Sequence, residues 1–579
     1  MNTPVTLRAL IDERAAQYPD KPFLLDCPGD PDVSSAGNGT RRAAPLAVLT
    51  YAELRNDCRV MESRFLDAGL RPGDTVSVLM SNGIQTGRIL LAAMYSGLVA
   101  NPLNLLCQPS QLRYIVEHSD TRAIFVERDT RATIESAIAE LHGGARAELR
   151  SESQGKRLAR DILVIETEPD ARALPVLPHA EPVLAGAALQ RAEAQRASVA
   201  GDDGPVAATL SETPSASRHE PCETDIALLM YTSGTTGLPK GVLLSHRNLL
   251  ANAARITDEH RLADDDRVLA SLPLYHINGL VVTLLTPLFH AGSVVMTPRF
   301  SARTFWRDAA FHGCTWINVV PTIVAYLLNC DEACAFDLSA LKFCRSASAA
   351  LPVEHHRAFE ARFGIGIIET MGMTETAAPI FSNPYDASRR KVGSIGLPSG
   401  AEAKVIDREG RECAPNECGE IVLRGEQVMR GYYKRPEETH AAFTADGWLR
   451  TGDLGYRDED GYFFINGRAK ELIIKGGENI APREIDEALL KHPGVLDAAA
   501  VGVPDSAYGQ DIVAYIVPRV ADGNVQANEC GGLDVADLRA HCLRELGRYK
   551  TPKEFRFVAE LPRGPSGKVQ RLKLLQTQT

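Results

Sequence analysis

Short β-rich runs alternate with helical patterns through much of the first 460 residues of this 579-residue chain. The run DTVSVLM at 74–80 precedes a helical pattern near 84–97, and RAIFVE at 122–127 precedes one near 130–142. Strands that alternate with helices form parallel sheets whose faces the helices cover. The sequence therefore predicts an α/β fold for this region.

The predicted secondary structure changes twice after residue 400. From about 400 to 466 the chain consists of short strands and turns (EAKVID, GEIVLRG, GYFFING), which predicts a small antiparallel β-barrel or sheet. After residue 468 the pattern predicts a compact α+β unit, with helices at 482–492 and 534–547 and strands at 497–503 and 511–518. Two further stretches resemble insertions: 28–46, a predicted surface loop, and 143–223, of which we expect much of 168–223 to be mobile.

Charge and composition exclude several classes of protein. The chain has 63 basic and 74 acidic side chains, a net charge of −11, which argues against a nucleic-acid-binding protein. The N-terminal segment predicts an amphipathic helix with Leu7, Leu10 and Ile11 on one face, not a signal peptide. The apolar stretches 87–106 and 277–297 carry polar residues and predict buried α/β segments, not membrane spans. The twelve cysteines show no CxxC pair, so we expect reduced thiols, a cytoplasmic location and no zinc site.

An apolar run at 226–232 leads into a loop of small and hydroxyl residues. Small residues let the backbone approach an anion, successive N–H groups form a nest, and a lysine adds positive charge. The Gly-Lys-Ser/Thr end of P-loop NTPases is missing, so composition alone predicts either a phosphate loop or a flexible turn. The candidate phosphate ligands are Thr232, Ser233, Gly234, Thr235, Thr236, Gly237 and Lys240.

The string at 231–241, YTSGTTGLPKG, closely resembles the signature of the adenylate-forming superfamily, which includes acyl- and aryl-CoA synthetases, luciferases and peptide-synthetase adenylation domains. Further matches follow in family order at PLYHINGL (273–280), ETMGMTET (369–376), GWLRTGDLG (447–455), INGRAKELIIKGGENIAPREID (465–486) and LPRGPSGKVQR (561–571). The matches run from about residue 50 to about residue 575 and leave out the two insertion-like stretches.

The resemblance implies a two-step reaction. A carboxylate attacks the α-phosphate of ATP, held with Mg²⁺, to give an acyl-adenylate and pyrophosphate, and a thiol then displaces AMP. It also implies an N-terminal adenylation domain at 1–467, made of two α/β subdomains and a small β-barrel, and a small mobile α+β domain at 468–579.

The resemblance further implies roles for single residues. Lys568 is similar to the catalytic lysine at the α-phosphate, and Glu375 to the carboxylate that holds magnesium, with Thr374 beside it on phosphate. Asp453 resembles the ligand of the ribose hydroxyls, and Arg468 the arginine that reaches the ribose or phosphate. Each has an ordinary structural alternative, such as a solvated lysine or a capping Thr-Glu pair.

A second group of positions concerns motion and packing. Lys470 matches the family hinge, and Gly476 and Gly477 match the face that borders the coenzyme A tunnel. The adenine motif carries Met371 before Gly372 where the family usually has tyrosine; methionine packs on a purine less rigidly. The adenine-wall segment also departs from the family pattern, reading SASAAL at 346–351. We expect altered nucleotide packing and retained activity.

The acid pocket is expected to include His276, followed by Asn278. Arg345 is a candidate partner for a second anionic group, although an arginine at a strand end is more often on the surface. The segment RFSARTFW at 299–306, the segment 345–348 and the run after Glu375 resemble ligases for small acids such as oxalate. We expect a small polar or dianionic acid, oxalate-like or sulfonated; a coumarate-like or medium-chain acid is the alternative.

We expect coenzyme A (CoA) as the acceptor, because no carrier domain follows the lysine loop. A stand-alone adenylation enzyme that loads a separate carrier protein is the alternative. A non-catalytic nucleotide-binding protein on the same fold would lack groups needed for turnover, whereas Lys568, Glu375 and Asp453 are all present.

Overall fold

A computed structural model of the chain describes residues 4–27, 47–148, 162–178, 220–232, 238–330, 336–468, 470–519, 533–563 and 569–576. Within these residues the chain forms four β-sheets. The predicted fold class, a large α/β N-terminal region followed by a small α+β unit, is confirmed. Among the described residues, no helix combines the length and apolarity needed to cross a bilayer.

A nine-stranded sheet has a parallel centre and antiparallel strands at both edges. Its strands in spatial order are Leu397–Pro398, Ala378–Ser382, Ile367–Met373, Phe343–Ser346, Trp316–Val319, Arg267–Ala270, Ser293–Met296, Pro22–Asp26 and Val48–Thr50. A seven-stranded sheet has the spatial order Gly431–Tyr432, Lys240–Ser245, Ile226–Thr232, Val99–Pro102, Thr75–Leu79, Thr121–Val126 and Leu163–Glu166. Its last five strands are parallel, as the alternating pattern predicted.

Two smaller sheets follow in the chain. The predicted antiparallel unit is a four-stranded sheet with the order Ala401–Ile406, Gly419–Gly425, Leu449–Arg457 and Phe463–Arg468. The C-terminal sheet has the order Glu478–Ile480, Ile473–Lys475, Gly509–Pro518 and Val495–Asp505, and Glu554–Phe557 pairs in parallel with Gly509–Pro518.

Helices cover these sheets. In the N-terminal region they are Leu7–Gln17, Tyr51–Asp67, Ile84–Tyr95, Pro109–His118, Arg128–Glu148, His246–Glu259, Thr286–His290, Phe305–Phe311, Pro321–Leu328, Val353–Phe363 and Pro436–Ala441, with a π-helix at Asn278–Leu285. In the C-terminal unit they are Pro482–Leu490, Val535–Lys550 and Arg571–Gln576.

Local sequence explains where several helices begin. Thr50 caps Tyr51–Asp67 by accepting from the Glu53 N–H, while the Glu53 carboxylate accepts from the Thr50 N–H. Ser245 caps His246–Glu259 with Asn248 in the same reciprocal way. The N-terminal helix Leu7–Gln17 buries its apolar face as predicted: Leu7, Leu10 and Ile11 are fully buried.

Part of the insertion-like stretch 143–223 is described. Residues 168–178 pack against helices of the N-terminal region. The Pro169 carbonyl accepts from the Gln85 N–H at 2.9 Å, Arg64 donates to the Leu174 carbonyl at 2.9 Å, and Leu177 is buried. Residues 179–219 of the stretch expected to be largely mobile lie outside the described residues. The predicted surface loop 28–46 lies outside them as well.

The junction between the nine-stranded and four-stranded sheets requires a glycine. Gly396 has φ +94°, and a Cβ there would lie 2.1 Å from the Ser382 carbonyl carbon. Its carbonyl accepts from the Phe463 N–H at 3.0 Å, and Ile395 donates back to the Phe463 carbonyl at 2.9 Å. A side chain would therefore separate two sheets that meet backbone to backbone.

We expect Gly396→Ala to lower the free energy of unfolding by about 2–5 kcal/mol, the combined cost of a left-handed alanine and of overpacking. The matched control is Gly410→Ala, at φ +82° in a turn where no described atom lies within 4 Å of the new Cβ. That control should lose only about 1–2 kcal/mol. Urea denaturation of both variants tests this, and equal losses would contradict the steric explanation.

Candidate active site

The phosphate-loop motif connects two antiparallel strands of the seven-stranded sheet. Thr232 ends the strand Ile226–Thr232 and pairs with Lys240, which begins the next strand. The Thr232 hydroxyl donates to the Lys240 carbonyl at 3.5 Å. The structure therefore brings the two ends of the motif together, while residues 233–237 lie outside the described part of the chain.

The adenine motif lies on the strand Ile367–Met373, which pairs with Ala378–Ser382. A Cβ on Gly372 would lie 2.0 Å from the Ala378 carbonyl oxygen, so only glycine allows the two backbones to approach this closely. Met371, beside it, is buried. A 3₁₀ turn at Thr374–Thr376 follows and places Glu375, which is 8% exposed.

Glu375 contacts a residue that the sequence analysis missed. The Tyr432 hydroxyl donates to Glu375 Oε1 at 2.8 Å, and Lys240 Nζ lies 4.7 Å from the centroid of the same tyrosine ring. Tyr432 thus joins the phosphate-loop lysine to the predicted metal carboxylate. A single tyrosine after a glycine carries no spacing signal that would have marked it.

Glu369, at the start of the adenine motif, is a second residue to which we assigned no role. One of its carboxylate oxygens accepts from the Leu351 N–H at 3.1 Å, which ties the motif to the adenine-wall segment 346–351. Burial raises the pKa of Glu369 to about 7, and Arg483, from the C-terminal unit, partly offsets that shift. The carboxyl group therefore titrates near neutral pH inside the protein.

The two predicted ribose-side residues form an ion pair. Asp453 and Arg468 lie opposite each other on neighbouring strands of the four-stranded sheet, and Arg468 Nε lies 2.9 Å from Asp453 Oδ1. Asp453 is buried, and its N–H donates to the Thr451 hydroxyl at 3.0 Å. A fixed carboxylate of this kind can accept from two adjacent hydroxyls.

The acid-pocket candidates are also brought together. Arg345 Nη1 donates to Asn278 Oδ1 at 2.8 Å and to Asn318 Oδ1 at 2.7 Å, and Asn278 Nδ2 donates to the Ser348 hydroxyl at 3.1 Å. His276, half-buried, lies two residues before Asn278, where the π-helix begins. Ser348 belongs to the segment 346–351 already marked by the sequence. Asn318 was missed, although an asparagine within the apolar strand Trp316–Val319 was an available signal.

Arg345 is not the surface residue that its strand-end position favoured. It is fully buried, because Phe343–Ser346 is an inner strand with neighbours on both sides. Burial lowers the pKa of Arg345 to about 9. Among the described residues no carboxylate forms an ion pair with it, and its Nε has no hydrogen-bond partner. A buried cation held by two amides is costly unless an anion reaches it.

In the C-terminal unit, Lys470 is exposed in the turn that follows the four-stranded sheet. Gly476 and Gly477 form a second turn, with φ +55° and +86°, between two short strands. Two tyrosines lie beside it: Gly476 donates to the Tyr508 carbonyl at 2.8 Å, and Tyr549 donates to the Lys475 carbonyl. Lys568 lies outside the described residues.

The predicted magnesium site fits the residues present. No group of three or more His, Cys, Asp or Glu side chains among the described residues forms a metal cage. Mg²⁺ does not need one, since it is usually bound by one or two carboxylates together with substrate phosphates and water. Glu375, close to the phosphate loop through Tyr432 and Lys240, supplies such a carboxylate.

The fold, and the order of the sequence motifs on it, are those of an adenylate-forming enzyme. The model of the AMP-binding enzyme family matches residues 11–433, and that of the AMP-binding enzyme C-terminal domain matches residues 484–568. The chain belongs to the AMP-binding enzyme family.

Several relatives match over nearly their whole length. The sulfoacetate–CoA ligase of Cupriavidus necator is 58% identical over 570 residues, 98% of this chain and 97% of its own. The oxalate–CoA ligase of Arabidopsis thaliana is 33% identical, with the same coverage of 98% and 97%. Among solved structures, ATP-bound MatB of Rhodopseudomonas palustris superposes with a TM-score of 0.78 at 28% identity, over 100% of this chain and 99% of that one. The prediction of an ATP-dependent, AMP-forming acid–CoA ligase that uses ATP, Mg²⁺ and CoA is confirmed.

Glu369→Gln should change how stability depends on pH. The variant keeps an oxygen for the Leu351 N–H but cannot titrate. Because the folded-state pKa of Glu369 lies above its ordinary value, its contribution to stability is full below about pH 4.5 and is lost as the pH rises through about 7. We therefore expect the melting temperature of the wild type, relative to the variant, to fall across that range and then level. Calorimetry over a pH series tests this, and a constant difference would contradict a buried titrating carboxyl.

Proposed function

We propose that this enzyme forms the CoA thioester of a small carboxylic acid that carries a second negative group, with sulfoacetate as the first candidate. The observation that carries the proposal is the buried Arg345, which has two amide neighbours and no carboxylate partner among the described residues. A sulfonate or second carboxylate on the substrate supplies the missing counter-charge. The 58% identity with a sulfoacetate–CoA ligase supports the same choice.

The alternative substrates fit this pocket less well. A coumarate-like or medium-chain acid would place an apolar group beside a buried guanidinium, which leaves the charge unpaired. The amide oxygens of Asn278 and Asn318 both accept from Arg345, but a neutral amide does not cancel the charge of a guanidinium. An anionic tail pairs with the guanidinium and can accept from the free Nε as well.

We assign the first half-reaction to the phosphate-loop side of the site. Lys240, with Thr232 and the loop residues after it, holds the phosphates of ATP, and Lys568 stabilises the charge that develops at the α-phosphate. A substrate carboxylate oxygen bonds to the α-phosphorus while the bond to the pyrophosphate oxygen breaks. Glu375 holds Mg²⁺, which supplies neutralisation of phosphate charge when bound.

We assign the orientation of the nucleotide to residues of the four-stranded sheet and of the adenine motif. Asp453 accepts from the ribose hydroxyls, and Arg468 keeps that carboxylate in place through their 2.9 Å ion pair. Met371 and Gly372 lie along the purine, where methionine replaces the aromatic ring usual in the family. His276 borders the carboxylate of the acid. These residues bind and orient, and they take no part in bond exchange.

We place the domain boundary between residues 467 and 468 and the hinge at Lys470. The exposed turn at Lys470 separates the last strand of the four-stranded sheet from the first strand of the C-terminal sheet, and a single turn can absorb the rotation between two rigid bodies. In the second half-reaction the CoA sulfur bonds to the acyl carbon, the bond to the AMP oxygen breaks, and the thiol proton is released.

We propose that the Gly476-Gly477 turn borders the path by which CoA reaches the acyl-adenylate. Tyr508 and Tyr549 are 49% and 37% exposed beside it, and Lys475 lies within 5.5 Å of both ring centroids. Exposed aromatic faces with a nearby cation suit the adenine ring of CoA.

We also place the enzyme in the cytoplasm, since each cysteine among the described residues is a free thiol, which suits a reducing compartment.

The substrate proposal predicts a charge-selective loss in Arg345→Gln. The test compares sulfoacetate with methylsulfonylacetate, an analogue in which an uncharged methylsulfone replaces the sulfonate, in a pyrophosphate-release assay with ATP and CoA. The wild type should prefer sulfoacetate. The variant should lose roughly 100- to 1,000-fold in kcat/KM for sulfoacetate and little for the analogue, because a buried charge pair is removed only from the first.

Arg345→Lys, which keeps the charge, is the matched control and should recover part of the preference. Oxalate, 4-coumarate and octanoate complete the screen. Equal losses for both acids in Arg345→Gln, or a wild-type preference for octanoate or coumarate, would contradict the proposal.

The assignment of Lys568 predicts a separation of the two half-reactions. Lys568→Ala should lower the rate of adenylate formation by at least about 100-fold, since positive charge at the α-phosphate is lost. Thioester formation from supplied acyl-AMP should stay within about threefold of wild type and serves as the internal control. Lys470→Pro should instead slow the change between the two states. Equal loss of both half-reactions in Lys568→Ala would show that the lysine acts structurally.

A further inference from the structure

Tyr432 lies between two groups that belong to different sheets. Its backbone is the edge strand Gly431–Tyr432 of the seven-stranded sheet, which pairs with Lys240–Ser245. Its side chain reaches the turn Thr374–Thr376, which follows a strand of the nine-stranded sheet. No motif used to recognise the fold contains this residue.

The ring of Tyr432 holds Lys240 without neutralising it. Lys240 Nζ lies 4.7 Å from the ring centroid, within the range of a cation–π contact. No carboxylate of the described residues forms an ion pair with Lys240. A carboxylate partner would fix the ammonium group but cancel its field, whereas an aromatic face fixes it and leaves its charge available to phosphate.

The hydroxyl of Tyr432 orients Glu375. It donates to Oε1 at 2.8 Å, which leaves Oε2 for a cation. A tyrosine phenol has an ordinary pKa of about 10, so it is protonated and remains a donor throughout the neutral range. A carboxylate with one oxygen held in this way presents the other in a defined direction.

The backbone on both sides of Tyr432 is attached to the same two elements. Met429 donates to the Glu375 carbonyl at 2.8 Å, and Tyr433 donates to the Gly241 carbonyl at 2.7 Å. The Tyr432 N–H itself donates to the Thr439 hydroxyl at 2.9 Å. The ring is therefore fixed relative to both the phosphate-loop strand and the Glu375 turn.

We propose that Tyr432 is a positioning residue for MgATP: its ring directs Lys240 to the phosphates, and its hydroxyl sets Glu375 for the metal ion. The inference rests on the roles proposed above for Lys240 and Glu375. It adds a residue whose two ends act on different parts of the ligand, so ring and hydroxyl can be tested apart.

The experiment measures ATP binding by calorimetry in the absence of the acid substrate, once with Mg²⁺ and once with EDTA. Tyr432→Phe removes only the hydroxyl; it should weaken MgATP binding roughly tenfold and metal-free ATP binding by less than about twofold. Tyr432→Leu removes the ring as well and should also weaken metal-free ATP binding, by about fivefold. Tyr433→Phe is the matched control, because its hydroxyl bonds to Asp120 at 2.7 Å on the surface; both affinities should stay within about twofold of wild type.

A double-mutant cycle removes the remaining ambiguity. In a Glu375→Gln background, Tyr432→Phe should have little further effect on MgATP binding, even if the variant is less stable. Equal weakening of MgATP and metal-free ATP, unchanged binding, or additive effects in the cycle would overturn the role of Tyr432. If Glu375→Gln and Lys240→Met themselves leave ATP binding unchanged, the roles proposed for those two residues fail instead.

Discussion

The helix Ile84–Tyr95 holds the two large sheets together, and the geometry of the site depends on it. Each of its twelve residues is buried, and the core around it includes residues of both sheets. At Gly87 a Cβ would already lie 3.4 Å from Leu24 and 3.6 Å from Leu284, so this contact leaves little free space. Because close-packed interiors deform little, the phosphate hairpin on one sheet and the Glu375 turn on the other keep a fixed separation.

The charged groups of the candidate site differ in whether an opposite charge lies beside them. Asp453 forms an ion pair with Arg468, and its proposed ligands are the neutral ribose hydroxyls. Lys240 rests on an aromatic ring, and Arg345 is held by amides; both remain uncancelled by any carboxylate of the described residues. Polar neighbours that orient a cation without neutralising it are suited to anionic ligands; those proposed here are phosphate for Lys240 and a second anionic group of the acid for Arg345. The net charge of −11 describes the whole surface and has no bearing on these local fields.

Much of the fold followed from periodicity, and the family followed from motif order. The strands at 74–80 and 122–127 and the C-terminal helices were predicted within a few residues. The misses share one cause. Asn318, Tyr432 and Glu369 gain their importance from contacts with residues far away in the chain, so no local spacing marked them. Residues 168–178 are attached to the rest of the fold in the same long-range way, by hydrogen bonds from the Gln85 N–H and the Arg64 guanidinium.

The sequence by itself determined the reaction class, because phosphate, ribose and catalytic-lysine motifs are contiguous strings whose residue types and order are tied to that chemistry. It also determined the alternating α/β architecture, which is a local property of the chain. Only the tertiary structure decided the electrostatic state of the acid pocket. The strand Phe343–Ser346 lies inside a sheet, so Arg345 is fully buried, and no carboxylate of the described residues forms an ion pair with it. The anionic substrate proposed above would supply the counter-charge. Burial and pairing are properties of neighbours in space, which a linear pattern does not specify.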